Sequence, residues 1–137
     1  VAPDGKTILH IQKTGSGSNE GALFRRRGNG RFELDGADAH GSQLLERAWA
    51  FFRKRLGRDP MLTRGGMAFV SWGTDGQCVE LSLRGEDLGG GIVVTDWRVH
   101  YNFVSGRYFL TRDQLLHNRG AVSSFREKRG EVLPAGK

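Results

Sequence analysis

The chain has 137 residues, 37% of them hydrophobic and 26% charged, which suits one soluble domain with one core and is too short for two. No apolar run approaches the roughly 20 residues that cross a bilayer, and the lone Cys78 excludes an internal disulfide or a zinc site built on several cysteines. A formal charge of +6 rests on 21 Lys and Arg, sixteen of them Arg, against 15 Asp and Glu; the arginine fork matches phosphate and stacks on bases, so the balance points to RNA or another polyanion.

In chain order, Thr7-Ile-Leu-His-Ile-Gln12 is the first short strand expected. Residues 14–21, Thr-Gly-Ser-Gly-Ser-Asn-Glu-Gly, carry no apolar anchor and read as a flexible loop. The loop is glycine-rich but lacks the Lys-Ser/Thr ending of a phosphate-binding P-loop. Residues 24–34 form a hairpin pattern with Gly28-Asn29-Gly30 as the turn. Arg25, Arg26, Arg27 and Arg31 crowd its arms beside Phe24 and Phe32. This is the densest basic patch and the expected contact for single-stranded RNA, whose bases stack on aromatic rings.

Leu45, Ala48, Trp49, Phe52 and Leu56 recur at helical spacing and predict the main amphipathic helix. Ser42 or Asp38 is placed to cap its start, and Gly57 fits the left-handed position just past its end. Arg53, Lys54 and Arg55 complement the helix dipole in the last turn, and Asp59-Pro60 forbids continuation. Residues 39–59, where Asp38-Ala39-His40 precedes a helix ending in Gly57-Arg58, resemble one helix of the thermolysin-like metalloproteases. The His-Glu-x-x-His motif that makes that family's zinc site is absent, and zinc protease chemistry is set aside.

Beyond the helix the pattern changes to period two. Strands are expected over 67–72, 77–84, 92–104 and 107–111, joined by a turn at 73–76, a longer loop at 85–91 and a tight turn at Ser105-Gly106. Thr111 or Asp113 caps a short final helix carrying Leu115, Leu116 and Val122, and the polar tail 126–137 reads as frayed. The expected fold is α+β: a single domain, 1–137, with one main helix on an antiparallel sheet of four or more strands and a short C-terminal helix.

The chemistry concentrates on residues 92–103. Val93, Trp97, Val99, Tyr101 and Phe103 alternate with Asp96, Arg98, His100 and Asn102, so an extended strand sets an acid, a guanidinium, an imidazole and an amide in one row. With Val79, Leu81 and Leu83 facing the helix, Cys78, Glu80 and Ser82 face the other way. Antiparallel pairing then brings Cys78 and Glu80 level with Asp96, Arg98 and His100, within a register step. His117, on the helix that follows, reaches the same rim.

Three functions fit these residues. A metal-independent ribonuclease would use Glu80 or His100 as base, His100 or His117 as acid and Arg98 as the clamp on phosphate. The plan of a helix followed by an antiparallel sheet with Glu, Arg and His on its open face resembles the small microbial ribonucleases and related bacterial toxin domains. That resemblance implies RNA as substrate and, for a toxin, an acidic inhibitor protein as partner. A cysteine–histidine enzyme, such as a glutamine deamidase or small protease, would use Cys78 as nucleophile, His100 as base and Asp96 to orient the ring. Third, a polar row on an antiparallel sheet is also what a non-enzymatic binding or interaction module presents. No metal, cofactor or membrane is expected, since the four histidines are dispersed and no nucleotide or calcium fingerprint is present. The protein is expected in the cytoplasm or delivered outside the cell.

Overall fold

The period-two stretches do form one sheet, and the helix lies across its apolar face. The structure, a computed structural model, describes residues 1–15, 18–34, 43–87 and 89–124. The expected caps Ser42 and Asp38, His40 and the tail 126–137 lie outside the described residues.

Strands β1 (Thr7–Gly15), β2 (Ser18–Arg26) and β3 (Phe32–Leu34) make a three-stranded antiparallel sheet. Helix α1 (Gln43–Leu56) follows. The main sheet runs β4 (Thr63–Trp72), β5 (Cys78–Asp87), β6 (Ile92–Asn102) and β7 (Arg107–Phe109), every pair antiparallel. Helix α2 (Arg112–His117) and a 3-10 turn (Asn118–Gly120) lead into β8 (Val122–Ser124), which pairs with the start of β6 as a fifth strand.

Leu44, Ala48, Trp49 and Phe52 of α1 are buried against Leu81, Leu83, Trp97, Val99 and Tyr101. Each fully buried side chain of this size contributes roughly 1.5–3 kcal/mol. Phe52 meets Trp97 edge to face at 5.0 Å, and the Tyr108 hydroxyl donates to the Leu44 carbonyl at 2.6 Å. The innermost leucine is therefore Leu44, with Leu45 only partly buried. Gly57, with φ 73°, donates its N–H to the Arg53 carbonyl at 2.9 Å and ends the helix as expected.

Three expectations are corrected. Most of 14–21 is not a loop: β1 runs to Gly15, β2 starts at Ser18, and Glu20 and Gly21 pair with Gln12 and Ile11. Gly21 is there because β2 passes close to β4, where a Cβ would collide with the Met67 sulfur. Asn19 holds the same crossing by accepting from the Met67 N–H at 2.7 Å.

The second correction concerns residues 92–103, which do not keep one parity. Trp97 pairs with Leu83 and Val94 with Gly85, so Thr95 and Asp96 together oppose Arg84. This β-bulge inserts one residue and shifts the alternation by one. Ile92 and Val94 consequently join Trp97, Val99, Tyr101 and Phe103 in the cluster packed with α1, while Val93, also buried, lies outside that cluster.

Third, the final helix ends at His117 and does not carry Val122. Leu115 and Leu116 are exposed, Gln114 is buried, and Val122 belongs to β8. Among the described residues, no helix is long and apolar enough to cross a membrane.

Candidate active site

The face of β5 and β6 turned away from α1 carries the polar row. Glu80 pairs with His100, Ser82 with Arg98 and Cys78 with Asn102. Directly opposed side chains in such a ladder start about 5 Å apart. Helix α2 sits against the free edge of β6, between the stretch paired with β7 and the stretch paired with β8. Glu80, Arg98, His100 and His117 thereby line one cleft of about 440 Å³, with Thr111, Asp113 and Gln114 on its far wall.

The bulge aims Asp96 into this group. Its φ of 52° is a left-handed conformation that aspartate tolerates better than most residues. The carboxylate accepts two hydrogen bonds from Arg98, from Nε at 2.6 Å and from the second terminal nitrogen at 3.1 Å, and one from the Ser82 hydroxyl at 2.5 Å. The His117 Nε2 lies 3.1 Å from its other oxygen and 2.9 Å from the Asp96 carbonyl. The Arg98 guanidinium, helped by Ser82, holds the Asp96 carboxyl down at about 2 against the opposing effect of burial. Asp96 in turn pushes the Arg98 pKa up, with a smaller contribution from Glu80.

Glu80 is held separately. Gln114 donates from Nε2 to Glu80 Oε2 at 2.8 Å, and the Ser71 hydroxyl lies 3.4 Å from Oε1. The orientation of the Gln114 amide is fixed from its other end, where Oε1 accepts the Thr111 N–H at 3.0 Å in a capping box. Arg98 Nη1 is 3.9 Å from Glu80 Oε1, too far for a direct hydrogen bond. Arg98 is thus tied to Asp96 through two nitrogens while its third faces Glu80. His100 is stacked on Phe109, with ring centres 5.2 Å apart, and its Nδ1 is buried without a hydrogen-bond partner among the described residues.

The residues proposed from sequence separate into three places. Glu80, Arg98, His100 and His117 share the cleft, with Asp96 beneath them. Cys78 is outside that cleft. It is buried, its thiol lies 3.5 Å from Asp75 Oδ2, and burial followed by the Asp75 charge pushes its pKa up to about 11. A thiol in that state is a poor nucleophile at neutral pH. The hairpin arginines do not converge. Arg25 lies 5.4 Å over the Phe103 ring and donates to the Phe103 carbonyl at 3.2 Å, and Arg27 pairs with Glu33 at 3.3 Å. Arg26 and Arg31 are exposed.

Sequence reasoning passed over Gln114 and Asn118. The Thr111-x-x-Gln114 spacing of a capping box was the available signal for the first. Asn118 carries no such signal; its amide accepts from the Arg98 N–H at 2.7 Å and donates to the Arg98 carbonyl at 2.8 Å. Among the described residues no group of three His, Cys, Asp or Glu is arranged to hold a metal ion. Comparison with protein-family models, with curated protein sequences and with solved structures finds no match to this chain.

Proposed function

We propose that this chain is a basic RNA-binding domain whose activity is metal-independent cleavage of RNA through the 2′-hydroxyl. The observation that carries the reading is the convergence of Glu80, Arg98, His100 and His117 on one open cleft. A carboxylate, a guanidinium and imidazoles together supply the base, the charge clamp and the acid that the reaction needs. Arg98 stands between Glu80 on one side and the Asp96–His117 pair on the other. That order suits in-line displacement. Glu80 removes the 2′-hydroxyl proton, Arg98 faces the charged phosphorane oxygens, and His117 protonates the departing 5′-oxygen. Asp96 is a positioning residue, fixing both Arg98 and His117, and His100 forms the wall beside Glu80. An acidic inhibitor protein is the macromolecular partner that would suit this face.

The test is cleavage of a labelled single-stranded RNA in the presence of a chelator. Glu80→Gln and His117→Ala are each expected to lose about 10²- to 10⁴-fold, the usual worth of a general acid or base. Cys78→Ser retains full activity. Unchanged cleavage in both of the first two variants overturns the assignment. Salt-sensitive retention of RNA by the unsubstituted protein, with no product after long incubation, makes the face a binding platform instead.

A further inference from the structure

His100 lines a second hollow as well as the first. On its far side lies a space of about 360 Å³ bounded by Trp72, Thr74, Asp75, Cys78 and Phe109. The two hollows differ in charge. The first has Arg98 and His117 in its walls together with the Glu80 and Asp113 carboxylates. The second has no lysine or arginine among its lining residues, and its one carboxylate is that of Asp75. A carboxylate with no guanidinium or ammonium in the same hollow repels phosphate and accepts N–H donors. The second hollow is also aromatic: Trp72 is half-buried and Phe109 is 38% exposed, so both leave ring surface uncovered. The Ser71 hydroxyl, on the wall between the hollows, reaches back to Glu80.

We propose that this second hollow is a nucleobase subsite, holding the base of a nucleotide whose phosphate lies in the Arg98 cleft. The base stacks on the aromatic wall of Trp72 and Phe109, with an N–H edge turned toward Asp75. Sequence-tolerant stacking of this kind is how single-stranded nucleic acid is commonly held. The inference rests on the neighbouring cleft being the phosphate site, and it adds the class of group that sets the substrate in register.

Trp72 provides the readout, because Trp49 and Trp97 are buried at 6% and 5% exposure. Nucleoside monophosphates are expected to quench the tryptophan fluorescence saturably. Ribose phosphate, which lacks the base, should compete for the protein without quenching. In equilibrium dialysis, Trp72→Ala and Thr74→Leu are each expected to weaken nucleotide binding at least about tenfold, close to the 1–3 kcal/mol worth of one stacked base, and to leave ribose phosphate binding unchanged. Thr74 lies on an exposed turn, so its variant keeps the test valid if Trp72→Ala fails to fold. Equal quenching by nucleotide and ribose phosphate, or unaltered nucleotide binding in Thr74→Leu, overturns the subsite. RNA cleavage with no base-dependent quenching rejects the subsite alone; base-dependent quenching with no cleavage rejects the ribonuclease alone.

Discussion

The arginines of the β2–β3 hairpin and the single Arg98 make an instructive pair. The hairpin holds four arginines within seven residues, yet Arg25 sits over the Phe103 ring, Arg27 is taken by Glu33, and the other two are exposed. Arg98 is alone in its strand, but Asp96 fixes its fork, Asn118 fixes its backbone, and its remaining nitrogen is presented to a cleft. Charge density along the chain measures attraction at a distance. Orientation by neighbours makes a group useful in a reaction, since a held guanidinium need not reorganise as charge develops.

Substitution at Arg98 tests this contrast most strongly. Arg98→Lys keeps the charge but loses the fork, and cleavage is expected to fall about 10²- to 10³-fold, as for other removed charge-stabilising donors. Activity near that of the parent protein would mean that charge alone suffices, and the distinction between the two regions would collapse. The hairpin should respond differently. Arg26→Ala combined with Arg31→Ala is expected to weaken binding of long RNA while sparing cleavage of a short substrate. The slope of log affinity against log salt should fall by about 0.7 per arginine engaged with a single strand. Unchanged slope would remove the hairpin from the RNA path.

A smaller effect concerns the partner of Arg98. The Asp96 carboxyl titrates at about 2, below its ordinary value, because Arg98 bonds to its charged form. A depressed carboxyl contributes stability above the unfolded-state value, about 3.9, and loses that contribution as pH falls toward the folded value. Asp96→Asn should therefore flatten the acid limb of thermal stability between about pH 4 and pH 2. Because the side chain is 42% exposed, solvent screening keeps the effect below about 1 kcal/mol. An unaltered acid limb would show that the pair does not form in solution. Arg25→Ala completes the series: its stacking on Phe103 is worth about 0.5–1 kcal/mol, so melting temperature drops slightly while the salt slope stays constant.

The main sheet was legible because Val79, Leu81 and Leu83, like Trp97, Val99 and Tyr101, alternate without interruption, and period two assigns their faces directly. The same alternation placed Glu80 and His100 within one step of the observed pairing. It failed where the backbone departs from a plain strand. Thr95-Asp96 contains no glycine to announce a bulge, so the parity change before Trp97 was invisible. In α2, Leu115 and Leu116 drew attention as apolar residues, whereas the cap geometry turns Gln114 inward. At the amino-terminal end, Gly and Ser read as flexibility because composition does not distinguish a glycine needed for motion from one needed for close approach, as at Gly21.

Asn118 has a consequence for how this molecule meets others. An uncovered strand edge is a template on which a second chain can add. Between the stretches held by β7 and β8, the side chain of Asn118 takes both the N–H and the carbonyl of Arg98, so one amide substitutes for a missing rung. The β6 margin is thereby closed to intermolecular strand addition. The Arg98 amide hydrogen should exchange with solvent as slowly as its neighbours inside the ladder.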